Sequence, residues 1–202
     1  MKAHCYRPRV TRDEEILDSI RRDGDLAETL WRVCEFDLSR SDSGEPVRLS
    51  SGVALEGVAG DYTGGTFFLC GDAAKDRPVL YAGSEGQAGL IGHSLTEALE
   101  IMVGLPSWWD CLGFSGSGDL TVMRKTADHL RDDELRNEPG MDADRERLAQ
   151  ALDLELGALP ALLARLQAAV SATAPDYILT SDAGEYESLF GPWLPNRNPS
   201  WQ

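Results

Sequence analysis

The stretch Gly60–Ser115 most constrains what this chain can become, because two apolar segments lead there into a helix whose start is written in the sequence. Thr66–Cys70 (TFFLC) and Pro78–Ala82 (PVLYA) are rich in Phe, Val, Leu and Tyr, which suit a pleated, half-buried surface. The loop between them, Gly71–Arg77, carries Gly71, Asp72, Lys75 and Asp76, so the pair reads as two strands joined by a turn. Gln87–Gly92 (QAGLIG) is too short and glycine-rich for a helix and is expected to supply a third strand. Ser94 then precedes Glu97 at capping-box spacing, where the serine oxygen accepts a free backbone N–H and the glutamate reaches back to the cap's own N–H. Leu95, Ala98, Leu99, Met102 and Val103 form an apolar stripe that must lie on the sheet, and Gly104 and Pro106 end the helix.

The flanking segments read as helices. Thr11 and Glu14 repeat the capping box before a helix over Arg12–Arg22, Gly24 breaks it, and Asp25 can cap a second over Leu26–Leu38. Ser39–Pro46 is a loop by composition, and Val47–Val58 alternates imperfectly, as two short strands or one bent strand would. Ser107–Leu112 (SWWDCL) makes a helical turn. Helices are then expected over Leu120–Glu134, Arg145–Leu156 and Leu159–Ala172, the last with Pro160 in its first turn. The tail GPWLPNRNPSWQ must dock extended or stay loose. Helices, a meander of strands, then helices define an α+β chain, with a central antiparallel or mixed sheet of about four to six strands and C-terminal helices packed on it. Residues 1–118 form the core of this reading, and 119–202 a helical extension on the same domain. At 202 residues the chain can bury that core without a disulfide or a metal.

Charge narrows the possible partners. Thirty-four acidic against 19 basic side chains give a net charge of −15, which makes nucleic acid and anionic membranes poor partners and a basic protein a good one. No apolar run approaches a membrane span, and the leader MKAHCYRPRVTRDEE lacks the apolar core of a secretory signal. Cysteines at 5, 34, 70 and 111 form no CxxC pair and read as small buried hydrophobes, so a reducing, cytoplasmic setting is expected.

Catalytic motifs fail one by one. Ser94 in GHSLT and Ser115 in GFSGS lack the second glycine of a nucleophile elbow. The glycine-rich segments GDYTGGT and GSEGQAG lack the Lys-Ser/Thr of a phosphate loop. His4, His93 and His129 stand in no ligand spacing, and Asp142, Asp144 and Glu146 suit the acidic first turn of a helix better than a calcium loop. No catalytic residue, metal or cofactor is expected. An enzyme would instead require a deep pocket lined by carboxylates of strongly raised pKa.

One block carries a resemblance. Gly64, Gly65, Phe67, Phe68 and Leu69, then Val79, Leu80 and Tyr81, then Ser94, Leu95, Glu97, Ala98 and Leu99 resemble the central block of the SUKH superfamily, which includes cell-wall assembly regulators and many bacterial immunity proteins. The resemblance implies a non-enzymatic binding scaffold: an immunity protein of a polymorphic toxin system that occupies a cognate nuclease or deaminase toxin, or alternatively a regulatory interaction module with no toxin partner. A toxin acting on nucleic acid exposes a basic groove, which an acidic partner can plug with fast, salt-sensitive association. The contact surface is expected among acids and aromatics on loops around the sheet: Asp61, Asp72, Asp76, Glu85, Trp108, Trp109 and Asp110. At least one of Trp108 and Trp109 should belong to the core, since neighbouring residues on a helix point about 100° apart.

Overall fold

Each N-terminal helix begins where a side chain can take a free backbone N–H. In the computed structural model, which describes residues 10–195, Thr11 caps α1 (Arg12–Arg22) and Glu14 returns the bond to the Thr11 N–H at 3.1 Å. The cap of α2 (Gly24–Cys34) is Asp23 rather than Asp25, its Oδ1 accepting from the Asp25 and Leu26 N–H groups at 3.1 Å. The helix stops at Cys34, short of the expected Leu38, because Glu35 turns into the left-handed region at φ 57° and closes the last turn on the Trp31 carbonyl. A 3-10 turn at Leu38–Arg40 follows.

The strands are β1 (Arg48–Leu49), β2 (Leu55–Gly60), β3 (Thr66–Cys70), β4 (Val79–Ala82) and β5 (Gln87–Gly92). After them come α3 (Leu95–Gly104), α4 (Trp108–Gly113), α5 (Leu120–Asn137), α6 (Met141–Leu152) and α7 (Leu159–Ser171), then β6 (Leu179–Ser181), β7 (Gly184–Glu185) and β8 (Glu187–Ser188). β2 to β5 form an antiparallel meander, and β8 adds to β5 in parallel, giving a mixed sheet ordered β2-β3-β4-β5-β8. A second sheet, β1-β6-β7, is antiparallel. The class is α+β.

Pleating sends alternate residues of β3 into two different cores. Phe67 and Leu69 face the helices, in a cluster with Ile16, Leu30, Leu99 and Leu112, while Phe68 and Cys70 pack with Leu49, Leu80 and Leu179 on the opposite face. The half-buried surface expected for TFFLC is therefore buried throughout, because the small second sheet covers the face the sequence left open to water. That same helix-side cluster runs on through Leu148 of α6, Leu162 of α7 and Leu189.

Polar side chains pin the helices to the sheet. Ser94 accepts the Glu97 N–H at 3.1 Å as its spacing predicts. Glu97 reaches one residue further back than expected, accepting the His93 N–H at 2.7 Å, and its other oxygen takes Arg165 of α7 at 3.0 Å. Gly92 allows α3 to sit this close, since a Cβ there would lie 2.6 Å from the Ala98 nitrogen. The described part of the tail docks extended: the Gly116 N–H donates to the Trp193 carbonyl at 3.0 Å and Pro192 bridges Phe114. The rest of that tail, 196–202, and the leader with His4 and Cys5 lie outside the described residues.

Candidate protein-binding cleft

The antiparallel meander places the β2–β3 and β4–β5 turns at one end of the sheet and the β3–β4 loop at the other. At the first end, the C-terminus of α2, the β2–β3 turn, α4 and the α5–α6 corner enclose a cleft of about 400 Å³. Its wall is aromatic. Tyr81 on β4 stands edge-on to Trp108 at 5.2 Å between ring centroids and to Trp109 at 5.1 Å, and the two indoles are 5.8 Å apart. Phe67 and Phe36 continue the stack into the core at 4.9 and 5.1 Å. Trp108 is 6% exposed and belongs to this core, whereas Trp109 is half-buried and faces the cleft.

Asp61 fixes the wall from below. It is 6% exposed, its Oδ1 accepts the Thr63 N–H, the Thr63 hydroxyl and the Gly65 N–H at 2.8 Å each, and its Oδ2 accepts the Tyr81 hydroxyl. Burial and this bond to a carboxylate push the Tyr81 phenol well above its ordinary range, so it stays a neutral donor. Gly65 is required for the approach: a Cβ there would lie 2.7 Å from Asp61 Oδ2 and 2.6 Å from Tyr81 Cζ.

Five carboxylates line the cleft, those of Glu35, Asp61, Asp110, Glu134 and Glu138, against one guanidinium, Arg32. Arg32 is paired with the buried Asp144 of α6, and Glu134 accepts from the two terminal guanidinium nitrogens of Arg145 at 2.6 Å each. Asp110 accepts the Ser107 hydroxyl at 2.7 Å. Among the described residues, no cation pairs with Glu35, Asp110 or Glu138. Burial raises the Glu35 carboxyl above its ordinary value, and the nearby Asp61 and Asp110 add to the effect. Glu35 also holds a backbone conformation that glycine or asparagine normally takes.

The expected contact residues divide by end of the sheet. Asp61, Trp108, Trp109 and Asp110 meet in the cleft. Glu85 is exposed on the β4–β5 turn at the same end but does not line the cleft, and Asp72 and Asp76 are exposed on the β3–β4 loop at the opposite end. Glu35 and Glu138 were not singled out from sequence, and Tyr81 was read as a strand residue rather than as part of the contact surface. Glu35 enters the site only because α2 ends early, and Glu138 only through the α5–α6 corner, neither of which leaves a local motif.

Elsewhere the thiols of Cys34, Cys70 and Cys111 are buried and pushed up to about 12, which leaves them unreactive packing groups. Among the described residues, no helix is long and apolar enough to cross a membrane, and no group of three or more His, Cys, Asp or Glu is placed to hold a metal ion. Compared with known proteins, the chain matches no family model, no curated protein and no solved structure.

Proposed function

We propose that this chain is a SUKH-type immunity protein of the cytoplasm, which neutralises a cognate bacterial toxin by occupying its basic, nucleic-acid-binding groove, without catalysis of its own. The observation that carries this reading is the cleft: a preformed aromatic wall beside carboxylates that lack an internal cation. Desolvating like charges together opposes folding, so such a cluster makes physical sense where a partner supplies the missing positive charge. The net charge of −15 extends the attraction beyond the cleft and favours fast encounter with a basic surface.

The test is co-expression with the toxin domain that an immunity gene is expected to have encoded beside it. Growth should be restored by the wild-type chain and lost again in the triple variant Glu35→Gln/Trp109→Leu/Asp110→Asn. Equal protection by both would remove the cleft from the account.

The same cleft, with its carboxylates that lack an internal cation, favours a second reading in which the chain acts on a small cationic substrate with Glu35, whose carboxyl burial raises, as the acid. Purified protein would then turn over such a substrate and lose the activity in Glu35→Gln. The immunity reading predicts no turnover.

A further inference from the structure

The proposed function does not say what a partner places in the cleft; resting on that reading, the geometry points to a single arginine side chain, its guanidinium laid against the Trp109 indole and paired with Glu35 and Asp110.

Three observations converge on this occupant. First, the volume of about 400 Å³ is far larger than an ion needs and has room for one long side chain. Second, the exposed part of the wall is aromatic and planar. Trp109 is held by its edge-on contacts with Tyr81 and Trp108, so its ring is in place before anything binds. A planar cation gains from stacking on such a face, and a guanidinium, less strongly hydrated than an ammonium, loses less on leaving water. Third, the charge is complementary and unmet. The cleft's own guanidinium, Arg32, is turned to Asp144, and the carboxylates of Asp61 and Glu134 are satisfied within the protein. The acids left over, Glu35 at the C-cap of α2, Asp110 on α4 and Glu138 at the α5–α6 corner, line the same cleft as the indole, and a forked donor can engage more than one of them where a point charge engages one.

The same chemistry already occurs on the neighbouring surface of α2, where the Arg40 guanidinium lies 5.3 Å from the centre of the Trp31 ring. There the pair is internal. In the cleft the ring and the carboxylates are present and the guanidinium is missing.

The probe is N-acetylarginine amide, titrated into the full chain and followed by the indole N–H resonance of Trp109, identified by its disappearance in Trp109→Phe. Saturable binding near millimolar affinity is expected for a single side chain. N-acetylcitrulline amide, the neutral isostere, should bind about tenfold more weakly, and N-acetyllysine amide should fall between them. Glu35→Gln, which keeps the shape of the side chain, should weaken the arginine probe about fivefold or more while leaving the other indole resonances in place.

The inference is overturned if arginine and citrulline probes shift the Trp109 signal equally, if the arginine probe perturbs the acidic surface at large without reaching Trp109, or if Glu35→Gln binds as wild type does. The two readings fail separately. Arginine binding without toxin protection would sink the immunity function and leave the cleft's preference standing. Protection that survives in Glu35→Gln and Trp109→Leu would sink the arginine site and leave the function standing.

Discussion

Glu35 shows at the scale of one residue how a feature that the proposed function uses is held against the interest of the fold. A non-glycine residue in the left-handed region costs about 1–2 kcal/mol, and its carboxyl is further disfavoured by burial beside Asp61 and Asp110. Glu35→Gly should therefore stabilise the protein by about 1 kcal/mol while weakening partner binding, a trade visible by urea denaturation alongside a binding assay. Glu35→Gln separates the charge from the backbone. Because the folded carboxyl titrates above its ordinary value of 4.5, its ionisation opposes folding at neutral pH, and that opposition fades as pH falls toward 4.5. The glutamine variant should melt higher than wild type at neutral pH and lose that advantage in acid. Gly65 makes the complementary case: Gly65→Ala drives a methyl group into the Tyr81–Asp61 contact and should cost about 1–3 kcal/mol, together with loss of the cleft wall.

Among elements, those with local punctuation were legible and those defined by distant partners were not. α1, β3, β5 and α3 fall where the Thr11 and Ser94 caps, the TFFLC run and the QAGLIG run put them. β6, β7 and β8 are two or three residues long and exist because β1 offers an edge to β6, β6 to β7 and β5 to β8, a fact no window of sequence contains. The expected C-terminal helices are present, but α6 starts at Met141 rather than Arg145, which frees Arg145 to face inward. Arg145 donates to the Val103 carbonyl at 2.8 Å and the Leu105 carbonyl at 3.4 Å, and doubly to Glu134, tying α3, α5 and α6 together. Arg145→Ala should cost about 1–3 kcal/mol by denaturant melting, because it takes a donor from two backbone carbonyls and leaves Glu134 with Arg131 alone. Arg145→Met, which restores packing volume but not the donor, should recover only part of that loss. Half of the candidate site was readable as well: SWWDCL announced an aromatic turn, while Glu35 and Glu138 reach the cleft only through the arrangement of α2, α5 and α6.

On the scale of the whole molecule, excess negative charge and a handful of well-placed cations set the response to pH and salt. Burial alone would raise the Glu97 carboxyl, but the His93 N–H and Arg165 outweigh it and hold it below its ordinary value of 4.5. The hydrogen bond from Arg131 likewise holds the Asp142 carboxyl below 3.8. Both lowered groups stabilise the fold above those ordinary values and cease to do so as pH falls through their lowered ones. Melting temperature should accordingly fall on the acid side of pH 4.5, more gently in Glu97→Gln. Salt should act mainly on association: raising ionic strength should slow binding to a basic partner steeply and change its dissociation little. The most direct measurement is growth of cells producing the toxin domain that the proposed function expects to be encoded beside this gene, together with either this chain or its Glu35→Gln/Trp109→Leu/Asp110→Asn variant, both shown to be folded. Protection by the wild type and none by the variant is the predicted result; equal protection, or none from either, would contradict it.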